Sequence, residues 1–172
     1  IRHREEQTQR ELMVLRARFA VVRARTELIN AARGLAKSTG ERLASCDADA
    51  VKAEMADKLS PELAATLKPM LEAVEELSKT IHGYETEMEA VKERHPEVEL
   101  LTPVYGVGTI MALAFVLTIE DPTRFGKSRD VGAYFRLAPG LRESGQQEPE
   151  MRISRKGTSR CGVCWCSARS AS

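Results

Sequence analysis

The chain has 172 residues, 42% of them hydrophobic, 5% aromatic and 30% charged, enough for one or two domains and better suited to long helices than to a β-sandwich. No run approaches the roughly 20 apolar residues that span a bilayer, and the Arg-rich start has no apolar stretch of the signal-peptide kind, so a cytoplasmic protein without a membrane partner is expected. The net charge of +1 hides a segregation: residues 1–42 hold 10 Lys/Arg against 5 Asp/Glu, residues 43–123 hold 6 against 16, and residues 124–172 hold 10 against 4.

Residues 3–38 read as one long helix. Leu12, Leu15, Phe19, Val22 and Ile29, with Thr26 between, follow the three-four spacing of a heptad seam. The basic character of this segment makes it a candidate polyanion surface. Ser38-Thr39-Gly40 is a stop signal. A short helix is expected around Asp49–Lys58. Ser60-Pro61-Glu62 then has the form of a helix start, with Ser as cap, Pro in the first turn and an acid at the positive end of the dipole.

The second long helix runs to about Arg94. Its seam is Leu67, Met70, Val74, Leu77, Ile81, Tyr84, Met88 and Val91, an unbroken alternation of three and four. Pro69 falls inside it and predicts a kink or an early break. The two helices are expected to pair antiparallel as a coiled coil, or to dimerise through the same seams. His95-Pro96 ends this arm.

The character changes from Leu100 onward. Thr102 to Thr109 is a glycine-punctuated turn, Ile110–Ile119 an apolar helix, and Glu120 to Phe125 another turn. Residues 128–136 form a short helix with Val131, Tyr134 and Phe135 inward; residues 137–157 are loop-rich. Four cysteines are present, three of them clustered as Cys161, Cys164 and Cys166. No second pair of Cys or His ligands completes a zinc site, so no metal is expected here.

Three motifs bear on chemistry. Gly106-Val107-Gly108 before an apolar helix resembles the turn of a helix-hairpin-helix, in which backbone N–H groups and a helix N-terminus hold a phosphate. Its structural alternative is a tight interhelical turn. Ser144-Gly145 lies in a polar loop ahead of basic residues that could stabilise charge on a phosphate under attack by the hydroxyl. The segment Arg152, Ser154, Arg155, Lys156 and Arg160 interleaves basic residues with Ser, Thr and Gly, the residue types that contact phosphates.

Taken in order, Leu101-Thr102-Pro103, Gly106-Val107-Gly108, Asp121-Pro122, Arg124-Phe125, Ala133-Tyr134, Leu137-Ala138-Pro139, Ser144-Gly145 and Arg152 to Gly157 resemble the C-terminal domain of the insertion-sequence "one-ten" transposases, also called DEDD transposases. The resemblance covers about residues 98–160, and the helices before it resemble the family's coiled coil. It implies DNA transposition, with DNA and a guide RNA as partners and homo-oligomerisation through the arm. It further implies that Ser144 attacks the DNA backbone to form a phosphoserine. Gly106, Gly108, Arg152, Ser154, Arg155, Lys156 and Arg160 would bind DNA. The family's RNase H-like half, whose acidic residues bind a divalent metal such as Mg, is absent from these residues. No cofactor is therefore expected in this chain, and the chain alone is expected to be inactive.

The expected architecture is all-α: a coiled-coil arm over residues 1–97, a small helical transposase domain over 98–160, and an irregular tail over 161–172 that reads as frameshifted. Opening on Ile1, the chain reads as a truncated copy. Two other readings stand beside this one. One is a non-catalytic helix-hairpin-helix-like module that binds DNA and dimerises. The other is a structural coiled coil, which leaves the motifs after residue 100 unexplained.

Overall fold

The computed structural model describes residues 5–135. These are all-helical, with no strand among them. The α-helices are α1 (Glu6–Ser38), α2 (Pro61–Lys92), α3 (Glu97–Leu101), α4 (Thr109–Ile119) and α5 (Ser128–Tyr134). Short 3-10 turns lie at Ala48–Ala50, Ala53–Lys58 and Pro122–Arg124. The described residues divide into two compact units, one of Met13–Val91 and one formed by the residues before and after it.

The long α1 forms because its sequence is rich in Ala, Leu, Arg and Glu, with no glycine before Gly34. Its surface adds the pairs Glu6–Arg10 and Arg23–Glu27, each one turn apart. It stops in a Schellman motif. Gly40 N–H donates to Lys37 C=O and Glu41 N–H to Ala36 C=O, and Gly40 takes the left-handed φ of +84° that this closure requires.

Within Met13–Val91, α1 and α2 pack antiparallel. Arg18 meets Glu85 and Arg25 meets Ser78, so a step of seven along α1 is answered by a step of seven back along α2. The same register sets Ile29 opposite Val74, Ala32 opposite Leu71 and Ala36 opposite Leu67, all in one core cluster. Two alanines facing two leucines let small and large side chains interdigitate. Val51 and Ala56 of the connector complete that core.

Four expectations need correction here. Thr26 is exposed; the seam position belongs to Arg25, which is 7% exposed. On α2 Leu71 and Ser78 are buried where Met70 and Leu77 were expected, and Met70 and Leu77 are half-buried beside them. An α-helix has 3.6 residues per turn, so its buried stripe drifts across a strict 3.5-residue heptad pattern. The helix expected around Asp49–Lys58 is instead two 3-10 turns, interrupted at Val51, whose side chain enters the core. Finally, of the kink or early break expected at Pro69, the break does not occur: α2 continues on both sides of it. The Pro69 ring is exposed, and the leucines around it hold the helix to the core.

The start of α2 also differs in detail. Pro61 is its first residue, as expected, but the Ser60 hydroxyl donates to the Glu41 carboxylate at 2.6 Å, and Ser60 N–H donates to the same group at 2.9 Å. These two bonds hold the Glu41 carboxyl below its usual range.

In the other unit, α4 is apolar around most of its circumference, with Ala112, Leu113, Ala114, Leu117, Thr118 and Ile119 buried. Phe115 stacks on Phe135 with centroids 5.0 Å apart, and Phe125 meets Tyr134 edge-on at 5.4 Å. Val98 of α3 is fully buried. Glu11, 4% exposed, accepts from Arg94 at 3.0 Å and sits 2.7 Å from His95 Nε2.

Candidate functional site

The turn between α3 and α4 carries Gly106 and Gly108. Val104 N–H donates to Leu101 C=O at 3.1 Å and Val107 N–H to Val104 C=O at 3.0 Å, so two successive reverse turns carry the chain from one helix to the next. Gly106 closes the second turn with φ +82°, a conformation that a Cβ disfavours. Gly108 is the N-cap of α4 with extended backbone, φ −81° and ψ 170°, and no side chain caps the helix there. A Cβ at either glycine would meet nothing within 4 Å. The turn therefore presents an open backbone surface beside the amide end of α4, where the helix dipole favours an anion.

Two features separate this turn from a full helix-hairpin-helix. Its first helix, α3, has only five residues, and Glu97 and Glu99 give that helix negative charge. Tyr105, at the turn's tip, is fully exposed and Val104 is 53% exposed. Nothing in the spacing of the glycines announced that these side chains would point into solvent.

A second feature could not be read from the sequence. Glu120 ends α4 with φ +62° and ψ −68°. Asp121 N–H donates across it to Ile119 C=O at 2.8 Å, so Glu120 is the centre of a γ-turn of the rare positive-φ hand. Its carboxylate accepts from Glu5 N–H at 2.7 Å, at the residue before α1. Asp121 accepts from Thr123 N–H at 2.9 Å and from its hydroxyl at 2.6 Å, which fixes the Asp121-Pro122 turn.

Most arginines of α1 have partners within the chain. Arg10 pairs with Glu6, Arg18 with Glu85, Arg23 with Glu27 and Arg25 with Asp49, while Arg33 donates to Cys46 C=O. Four of these arginines thus face carboxylates, two of them on α1 itself and two on the connector and α2.

Of the residues singled out in the sequence, Gly106 and Gly108 come together in this one turn. Ser144, Arg152, Ser154, Arg155, Lys156 and Arg160 lie outside the described residues, as do Cys161, Cys164 and Cys166. Among the described residues no cluster of His, Cys, Asp and Glu has the makings of a metal site, and no helix is long and apolar enough to cross a membrane.

Residues 98–169 match the family model described as "Transposase IS116/IS110/IS902 family". The chain is also similar to the transposase for insertion sequence element IS1111A of Coxiella burnetii, at 28% identity over 150 residues, covering 84% of this chain and 41% of that protein. A probable family 20 transposase of Pseudomonas aeruginosa is 27% identical over 149 residues, covering 83% of this chain and 44% of that protein. The chain therefore spans less than half the length of these curated relatives. No solved structure matches it significantly.

Proposed function

We propose that this chain is the C-terminal portion of a DNA transposase, and that it contributes DNA contacts and a serine nucleophile to strand exchange. The observation that carries the reading is the family match over residues 98–169, the segment that holds the glycine turn, Ser144 and the basic run from Arg152 to Arg160. The names of the two similar proteins agree with it.

In this reading the Ser144 hydroxyl attacks a DNA phosphodiester. A P–O bond to the serine forms, the bond to one deoxyribose oxygen breaks, and the serine proton leaves to a base or to solvent. The phosphoserine ester conserves the phosphodiester bond, so a second DNA hydroxyl can displace the serine and reseal the strand without another energy source. Arg152, Arg155, Lys156 and Arg160 offset charge on the phosphate, and Ser154 adds a hydroxyl donor. Gly106 and Gly108 bring backbone close to a second phosphate at the open end of α4. The acidic residues that would hold a divalent metal such as Mg belong, on this reading, to an RNase H-like domain outside these residues, and a guide RNA is a further partner. The chain alone binds DNA but does not cleave it. Self-association through the α1–α2 arm would bring two such serines to paired DNA ends.

The test is covalent capture. The full chain is mixed with an intact acidic N-terminal domain from a relative, Mg and labelled DNA, and denaturing gels are read for a protein–DNA adduct. The adduct is expected with wild-type chain and absent with Ser144→Ala, while DNA binding persists in both. An adduct that survives Ser144→Ala overturns the assignment. Binding that never leads to an adduct with either chain, in a mixture that cleaves with an intact relative, favours a non-catalytic DNA-binding module.

A further inference from the structure

Two arginines sit in the packed face between α1 and α2, exactly one heptad apart. The Arg25 side chain is 9% exposed and that of Arg18 13% exposed. Arg25 donates to Ser78 at 3.1 Å and pairs with Asp49; Arg18 pairs with Glu85 at 2.5 Å. In both, the Nε atom is buried and has no hydrogen-bond partner. Buried guanidinium groups left half-satisfied are poor sources of stability, since desolvation cancels most of the attraction. Apolar residues would pack better at both positions. Their value must therefore be sought in which pairing they permit.

We infer that Arg18 and Arg25 are a register lock, selecting the α1–α2 antiparallel pairing over the other pairings that a heptad seam allows. The apolar seam by itself is degenerate, because a slip of seven residues again sets apolar against apolar. The arginines remove that degeneracy. A slip one way sets Arg25 against Leu71 and Arg18 against Ser78, burying one guanidinium with no acceptor. A slip the other way gives Arg25 the Glu85 carboxylate but sets Arg18 against Lys92, with like charges facing. Parallel self-pairing of two α1 helices in register sets Arg18 against Arg18 and Arg25 against Arg25. Only the observed register gives Arg18 a carboxylate and Arg25 both the Ser78 hydroxyl and the Asp49 carboxylate of the connector. This lock is independent of any role in DNA chemistry. Self-association that leaves the α1–α2 pair intact must use surfaces other than this seam.

The acceptors make the test clean. Asp49 is 58% exposed and Glu85 37% exposed, so both can hydrate once the arginines are removed. In the full chain, R18L/R25L is expected to retain its helical circular dichroism and to melt no lower than wild type, while light scattering shows additional heavier species at the same concentration. The same single mass distribution as wild type overturns the inference, and so does a large drop in melting temperature with no new species, which would make the arginines simple stabilisers. If R18L/R25L does not fold, the charge swap decides. R18E and E85R each broaden the mass distribution, and R18E/E85R recovers most of the wild-type distribution; a swap no better than either single change overturns the lock.

Discussion

Gly106 and Gly108 stand two residues apart in one turn, yet their backbones ask for different things. Gly106 has φ +82°, so Gly106→Ala is expected to cost about 1 kcal/mol in stability although its Cβ would meet open space. Gly108 has the extended backbone of an N-cap and lacks only the side chain to act as one. Gly108→Ser should stabilise the chain by a few tenths of a kcal/mol, because the hydroxyl can accept from the first amides of α4. The same change should weaken DNA binding if those amides serve a phosphate. Thermal melts and DNA titrations on the two variants separate the backbone requirement from the ligand requirement.

Glu11 makes a second case at this scale. Burial alone would raise its carboxyl, but hydrogen bonds from Gln7, His95 and Arg94 outweigh burial and hold it below the ordinary value of 4.5. A depressed acid stabilises the fold above its unfolded-state value, and the gain is lost as pH falls through the folded-state value. Stability is therefore expected to decline below about pH 4.5. Glu11→Gln should be less stable at neutral pH by about 1–2 kcal/mol and show a shallower acid limb in pH-dependent denaturation. An unchanged acid limb would show that Glu11 is not a linked group.

At the scale of elements, α2 holds opposed tendencies together. Pro69 removes one backbone hydrogen bond and crowds the preceding turn, a cost of about 3 kcal/mol in a free helix interior. Leu67 and Leu71, one on each side, are essentially fully buried. Leu67→Ala should cost about 2–5 kcal/mol, since the core opposite Ala36 cannot close over the cavity. Pro69→Ala should stabilise by roughly 1–3 kcal/mol, because the exposed proline contributes little packing. Urea midpoints of the two variants should move in opposite directions. If Pro69→Ala destabilises, a bend at that point is part of how α2 meets its core.

For the molecule as a whole, charge is the property that connects fold to partner. Four of the six arginines of α1 are paired with Glu6, Glu27, Asp49 and Glu85, which offsets part of the positive charge of that helix. The basic residues from Arg152 to Arg160 carry the DNA expectation of the proposed function. Each phosphate contact releases counterions, so replacing Arg152, Arg155, Lys156 and Arg160 by Ala should flatten the slope of log affinity against log salt by roughly 3–4. Replacing Arg10 and Arg23 should leave the slope nearly unchanged. A slope that responds to Arg10 and Arg23 and not to the later residues would assign the DNA contact to α1.

Helix content, the two seams, the start of α2 at Pro61, the end of α1 near Gly40 and the apolar α4 were all legible in the residue order. Each depends on local periodicity or on the conformational limits of Pro and Gly, which act over a few residues and need no partner. The ordered motifs after residue 100 were legible for the same reason, as a linear pattern. What tertiary structure alone decided was which side of each seam is buried, and with what. Arg25 displaced Thr26 because Ser78 and Asp49 were waiting across the interface. Ser60 turned from its helix because Glu41 lay beside it. Glu120 adopted a strained γ-turn with its carboxylate on the N–H before α1. Such choices depend on groups 19 to 115 positions away in the chain, and a periodic pattern holds no information about which distant acceptor will arrive.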